Sequence, residues 1–268
     1  MKILFIGDIV GKPGRRAVRE LLPKLVGDRQ IDLVIANCEN AAAGFGVTRD
    51  IVEELYESQI DILTSGNHIW DKKEVMEFIN DYETLLRPAN YPPTIPGSGA
   101  VVMPTASGEY VGVLNLAGRV FMQPIDCPFA TAKNELAVLQ KKTKVIIVDI
   151  HAEATSEKKA LGWYLDGEVS AVLGTHTHVQ TADDEILPKG TAYLSDVGMT
   201  GPFDSVIGVK KDVVIKRFLT GVPNRFETAK GDVRLQAVLL DIDSATGKAN
   251  SIERISVKLK ERMEAGEG

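Results

Sequence analysis

Cysteine is almost missing from this chain. Cys38 and Cys127 are its only two in 268 residues. That excludes a disulfide framework and points to free thiols in a reducing cytoplasm, with a single bridge between the two left open. No apolar run approaches the roughly 20 residues of a membrane span, so no membrane partner is expected. The N-terminal stretch Met1–Asp8 is interrupted too early for a secretory signal and reads as a first strand. Positive charge is also short. Lys and Arg number 31 against 37 Asp and Glu, a net charge of −6, which argues against long nucleic acid as a partner. A small anionic substrate stays open, because bound divalent ions can dominate the local field. There is no low-complexity segment, linker or internal repeat. Histidine is scarce as well, at four residues, and their placement is the informative feature.

Hydrophobic residues make up 44% of the chain and charged residues 25%, enough for a sizeable core in a soluble domain. Short apolar runs alternate with amphipathic stretches of helical length, the pattern of a largely parallel sheet with covering helices. Strands are expected near 2–7, 31–37, 60–65, 144–150, 169–174 and 191–195. Helices are expected near 14–26, 48–58, 72–80, 131–141 and 157–165. Asp71 with Glu74 suits a capping box, and Thr48 and Ser156 suit N-caps. Between 85 and 125 the character changes. Pro88, Pro92, Pro93 and Pro96 break the periodicity, then Gly99–Pro104 and Glu109–Leu116 read as antiparallel strands. Val233–Ile242 and Ile252–Leu259 read as a hairpin, so a second, mixed or antiparallel sheet is expected. The candidate ligands are spread over successive strand ends, and dividing the chain would divide the site. Residues 1–268 are therefore read as one domain.

All four histidines, His68, His151, His176 and His178, follow an apolar run where a strand should end. In an open α/β sheet, ligands bind beyond the carboxyl ends of the strands, so these imidazoles should converge on one crevice. Neutral imidazole is the commonest protein ligand for a transition metal. Other strand ends add Asp8, the pair Glu39 and Asn40, and Asn67 before His68. Two carboxylates, two side-chain amides and four imidazoles are too many for one tetrahedral zinc. Two metals about 3.5–4 Å apart would use the set well. Singly, each residue has a plainer role: Asp8 as a loop or cap residue, Gly66 to His68 as a turn, His151 as a satisfied core histidine, His176 and His178 as surface groups. Jointly these plainer roles fail, because all would have to hold at one sheet edge.

In these residues and their order, the chain resembles the calcineurin-like metallophosphoesterases. Asp8, Glu39 with Asn40, Gly66 to His68, His151 and the run Gly174 to His178 match that family's motifs in order. The stretches Cys38 to Gly44, Asn67 to Asp71 and Asp196 to Pro202 resemble more narrowly its bacterial branch of 2′,3′-cyclic-nucleotide 2′-phosphodiesterases. The resemblance implies an α/β sandwich of two mixed β-sheets flanked by α-helices. It implies two divalent or mixed-valence transition metal ions, Fe or Mn first and Zn also suited. Asp8, Asn40 and His178 would hold one metal, Asn67, His151 and His176 the other, with Glu39 bridging. His68 would stand beside the metals and protonate the leaving oxygen or stabilise the phosphoryl group, the proton transfer typically being worth about 10²–10⁴-fold. The broader superfamily has His where this chain has Val10, and Asp where it has Glu39; Asn40 takes the place of the missing imidazole.

The implied activity is hydrolysis of small 2′,3′-cyclic nucleotides to 3′-nucleotides. Alternatives on the same site are a phosphomonoesterase, a 3′,5′-cyclic nucleotide phosphodiesterase, or a metal-binding regulatory protein. Retention of a proton donor at His68 weighs against the last. Oligomeric state stays open: enzymes of this size are often symmetric homo-oligomers, and the resemblance adds a mild push that way. The Ala41 to Gly46 loop could bring backbone to a phosphate or simply turn the chain. Phe45, Trp70, Phe129 and Phe203 could stack on a base or pack. Asp196 to Gly201 should line the crevice, and Arg15 and Arg16 could steer anions but read first as a solvated helix face. Strand alternation should turn Cys38 away from the metals.

Overall fold

The computed structural model describes residues 1–260, so the last eight residues of the expected single domain lie outside the described residues. The chain runs β1 (Lys2–Ile6), β2 (Asp8–Ile9), α1 (Gly11–Arg29), β3 (Leu33–Asn37), α2 (Arg49–Glu57), β4 (Ile62–Thr64) and α3 (Val75–Phe78). Then come β5 (Ala100–Pro104), β6 (Tyr110–Ala117), α4 (Pro128–Leu139), β7 (Val145–His151), α5 (Thr155–Tyr164) and β8 (Ala171–Thr175). The last third holds β9 (Glu185–Ile186), β10 (Ala192–Leu194), β11 (Met199–Pro202), α6 (Lys211–Thr220), β12 (Val233–Ile242) and β13 (Ala249–Lys258).

These strands form two mixed sheets. One has the order β2-β11-β12-β1-β3-β4 with β13 also on β12, and the other β5-β6-β7-β8-β10-β9. Period-2 alternation explains why they stack. Ile3, Phe5, Leu33 and Ile35 point inward to meet Val111, Val113, Val145, Ile147 and Leu173 of the opposite sheet. Leu4, Ile6, Val34 and Ala36 point the other way, into a layer with Ala17, Val18 and Leu22 of α1 and Val52 and Leu55 of α2. On the far side Ile146, Val148 and Val172 pack with Leu136 of α4 and Leu161 of α5. The result is a four-layer helix–sheet–sheet–helix sandwich. Each fully buried Leu, Ile or Phe in it contributes about 1.5–3 kcal/mol.

Several local expectations change. The helix expected over 72–80 is broken: a 3₁₀ turn covers Ile69–Asp71, α3 has four residues, and a second 3₁₀ turn covers Ile79–Asp81. Asp71 caps no helix because His68 takes its carboxylate. Thr48 does occupy the cap position of α2 but makes no side-chain capping bond. Ser156 lies inside α5, whose cap position is Ala154. Helix α6 and the short strands β2, β9 and β11 had no clear sequence signal, being too short or bounded by loops that carry no apolar period.

Candidate functional site

The site forms where both sheets end. On their facing surfaces, each central strand turns from apolar to polar at its carboxyl end: Ile35 gives way to Asn37, Ile62 to Thr64, Val113 to Asn115, Ile147 to Asp149 and His151, and Leu173 to Thr175. These polar groups are fully buried and satisfy one another. Thr64 Oγ1 donates to Asp149 Oδ2 at 2.6 Å and Thr175 Oγ1 to Asp149 Oδ1 at 2.7 Å. Asn37 Nδ2 reaches Asp149 Oδ2 at 3.1 Å, while Asn37 Oδ1 accepts the Glu39 amide, also at 3.1 Å. Burial pushes the Asp149 carboxyl up to about 6, its hydrogen bonds and His151 opposing. Above this network His151 Nδ1 lies 2.9 Å from Thr175 Oγ1, which fixes the ring and aims Nε2 outward.

Glu39 meets that Nε2. Its Oε1 is 3.0 Å away, and its Oε2 accepts the His68 amide at 3.1 Å. Burial alone would raise the Glu39 carboxyl, but His151 and His68 outweigh it and hold it at about 2. Burial likewise opposes charge on His151, and Glu39, Asp8 and Asp149 overcome it to raise the imidazole to about 9. Gly66 is demanded here. A Cβ on it would sit 2.2 Å from His151 Nε2 and 2.4 Å from Glu39 Oε2.

Asp8 starts β2, where its amide bonds Gly198 O at 3.1 Å. Gly7 before it lets the chain pass residue 198, since a Cβ would lie 2.0 Å from Gly198 O. Asp8 Oδ2 accepts the His176 amide at 3.2 Å; Oδ1 is buried without a hydrogen bond, 3.8 Å from His151 Nδ1 and 3.9 Å from His178 Nε2. Burial raises its pKa. His176 Nδ1 lies 3.0 Å from His151 Nε2 and its Nε2 3.2 Å from Glu153. Burial first, then His151, lowers His176 to about 3, so it stays neutral, as a metal ligand must. His178 Nε2 lies 3.2 Å from Asn40 Oδ1 and its Nδ1 2.9 Å from Ile207 O. Both histidines have positive φ, 97° and 63°, sparsely populated backbone that the surroundings must hold in place.

Donor atoms of Glu39, His151 and His176 all lie within 4.8 Å of one another. The contacts just given connect these three to Asp8, Asn40, His68 and His178. Asn67 stands at the rim, lining a hollow with Phe121, Met122 and His176, and its Oδ1 is buried without a hydrogen bond. A cavity of about 330 Å³ opens over the cluster, lined by Glu39, Asn40, His68, His176 and His178, with Phe45 and Phe226 as apolar walls. His68 is part-exposed there, with Nδ1 2.9 Å from Asp71 Oδ2.

Of the four aromatics considered from sequence, Phe45 reaches this cavity, edge-on to His68 at 4.9 Å. Trp70 packs on Tyr91, Phe129 on Tyr164, and Phe203 beneath Arg234. Asp196 to Gly201 do not line the cavity. Instead Asp196 is buried against Lys158 Nζ at 2.8 Å and accepts Thr177 N and Oγ1, fastening the histidine loop from behind. Arg15 is no free helix-face group: it bonds Glu54 and Ala41 O. Cys38 does face away, into the core under α1 and α2, and burial pushes its thiol well above the ordinary range. Sequence reasoning missed Asp71, Glu153, Lys158 and Phe226. Asp149 was missed too, though an Asp two residues before His151 in an otherwise apolar strand was the available signal.

The chain matches the model of the YmdB-like proteins over residues 4–255. It belongs to the YmdB-like family. A Bacillus subtilis relative named 2′,3′-cyclic-nucleotide 2′-phosphodiesterase is 53% identical over 257 residues, 96% of this chain and 97% of the relative. Among solved structures, a Thermus thermophilus protein described as hypothetical superposes with a TM-score of 0.90 at 44% identity, covering 96% of this chain and 99% of that one. A Mycoplasma pneumoniae protein described as a novel phosphatase also gives 0.90, at 36% identity, covering 96% and 93%. These two structures superpose on nearly the full length of the chain, consistent with the metallophosphoesterase resemblance read from the motifs.

Proposed function

We propose that this protein is a metal-dependent phosphodiesterase that hydrolyses 2′,3′-cyclic nucleotides to 3′-nucleotides, acting as one domain because the site draws on both sheets. The observation that carries the reading is the pair of buried oxygens without hydrogen bonds, Asp8 Oδ1 and Asn67 Oδ1, at a cluster of carboxylate and imidazole donors. Buried polar atoms are nearly always paired, and a cation satisfies such oxygens. The donor set fits: mixed oxygen and imidazole ligands suit Mn, Fe or Zn. Asp8, Asn40 and His178 would hold one ion, Asn67, His151 and His176 a second, with Glu39 shared between them.

Bound there, two divalent ions supply Lewis acidity at phosphorus and an activated water. The chain's own groups do the rest. The Asp149 network holds His151 in one orientation. Asp71 accepts Nδ1–H of His68, which leaves Nε2 facing the cavity as the nitrogen that takes up a proton and passes it on. Water adds across the P–O2′ bond: its oxygen joins phosphorus as the P–O2′ bond breaks, O2′ takes a proton from His68, and the proton released by the water is returned to His68, so the product is a 3′-phosphate. The regiochemistry follows the name of the Bacillus subtilis relative. Phe45 and Phe226, whose ring centroids lie 6.5 Å apart, give the cavity an apolar wall for a base. Hydrolysis of 2′,3′-cyclic AMP with Mn²⁺ or Fe²⁺ tests this, comparing the native chain with Glu39→Gln. Turnover should collapse in the variant, and equal turnover overturns the reading.

A further inference from the structure

Beside the catalytic cavity lies a second, larger one of about 690 Å³. The two share Ala43 and Thr228 as walls, so they adjoin across the Ala41 to Gly46 loop. Their charge differs. The catalytic cavity is lined by Glu39, Glu153 and Glu227 beside its histidines. The second has five cationic residues, Lys12, Arg15, Arg16, Lys72 and Lys230, and no carboxylate among its lining residues. In a chain of net charge −6 that concentration is against the average. Arg15 is held by Glu54 and Arg16 by Glu20. Lys12, Lys72 and Lys230 make no side-chain hydrogen bond or ion pair among the described residues. Three unpaired ammonium groups ring a cleft whose apolar floor includes Ile51 and Val233.

We infer that this cleft receives the 5′ side of the substrate: a phosphate carried on the 5′ oxygen of the nucleoside whose 2′,3′-cyclic phosphate is cut. The inference rests on the phosphodiesterase reading above and deepens it. Lysines act on phosphate as flexible point charges, and neutralising phosphate charge gives a salt-dependent gain in binding. The volume exceeds what one phosphate needs and falls within the usual range for drug-sized ligands, so it accommodates a further nucleotide of a short oligoribonucleotide. Global negative charge and the small number of lysines restrict the cleft to a few phosphates.

Three probes separate the sources: 2′,3′-cyclic AMP, the same molecule with a 5′-phosphate, and the dinucleotide ApA ending in a 2′,3′-cyclic phosphate. Each is assayed for kcat/KM at low and high salt with the native enzyme, with K12A/K72A/K230A, and with the matching triple arginine variant. The native enzyme should favour the dinucleotide over 2′,3′-cyclic AMP by about tenfold or more. The alanine variant should erase that preference, leave 2′,3′-cyclic AMP unchanged, and flatten the salt slope by about 1 per lost contact. The arginine variant should retain the preference. An equal gain for the 5′-phosphorylated mononucleotide supports a single-phosphate site; a gain for the dinucleotide alone supports an oligonucleotide site. The inference is overturned if the native enzyme cuts all three equally, or if the alanine variant slows all three equally. An enzyme that cuts none of them overturns the phosphodiesterase reading itself, a separate result from equal cutting.

Discussion

His68 shows how one residue takes its role from a neighbour three positions on. Asp71, 2.9 Å away, accepts from Nδ1 and so fixes which nitrogen faces the cavity. His68→Ala should lower kcat about 10²–10⁴-fold, the usual worth of a general acid, without reducing metal content measured by elemental analysis. Asp71→Asn should cost about tenfold in kcat, as orienting partners of functional histidines do, with metal content unchanged. A different residue-scale prediction concerns Asp61, far from the site. Its carboxylate accepts the Val34 amide at 2.8 Å, but burial raises its pKa. A carboxyl raised in the folded state favours folding when protonated, so its ionisation removes stability as pH climbs from the unfolded value past the folded one. Asp61→Asn keeps an oxygen for Val34 and should be neutral or stabilising at pH 7, with less benefit at pH 3, read from urea unfolding midpoints.

At the scale of elements, the histidine loop after β8 is held from the rear. Its two positive-φ residues sit on either side of Thr177, whose amide and hydroxyl both bind Asp196. Asp196 is in turn paired with Lys158 of α5, and both side chains are almost wholly buried. Removing one member of a buried pair strands the other charge and typically costs about 3–5 kcal/mol. Lys158→Ala should therefore lower the denaturation midpoint sharply and reduce metal affinity, because His176 and His178 lose their support. Lys158→Met restores volume yet leaves Asp196 unpaired, so it should recover little. This anchor was not legible in advance. Lys158 reads as an ordinary helix-face lysine, and only the packing of α5 on the strand end after β10 reveals its partner.

For the whole molecule, the site joins two sheets that otherwise meet through apolar side chains. Asp8, Glu39 and Asn40 follow strands of one sheet, His151 and His176 belong to the other. A metal ion held between them would stabilise only the folded state, by about 4 kcal/mol at a thousandfold excess over Kd. Chelation should lower the thermal midpoint by several degrees and readdition of Mn²⁺ should restore it, as followed by calorimetry. Glu39→Gln should shrink that metal-dependent difference. Among the described residues no helix is long and apolar enough to cross a membrane.

Residue type and alternation already determined much of this protein. Strands β1, β3, β4, β7 and β8 are readable from short apolar runs, and polar residues stand where they end, among them Asn37, Thr64, Asp149 and His151. The candidate ligands, clustered at those ends, were named from sequence for the same reason: period 2 fixes which face a side chain takes, and a chain break after each strand brings its end to one edge. What tertiary structure alone decided was pairing across long separations. Asp71 served His68 instead of a helix, Lys158 found Asp196, and lysines from positions 12, 72 and 230 came to ring one cleft. Such partnerships depend on how helices and loops dock on the sheets, and no local period encodes that distance.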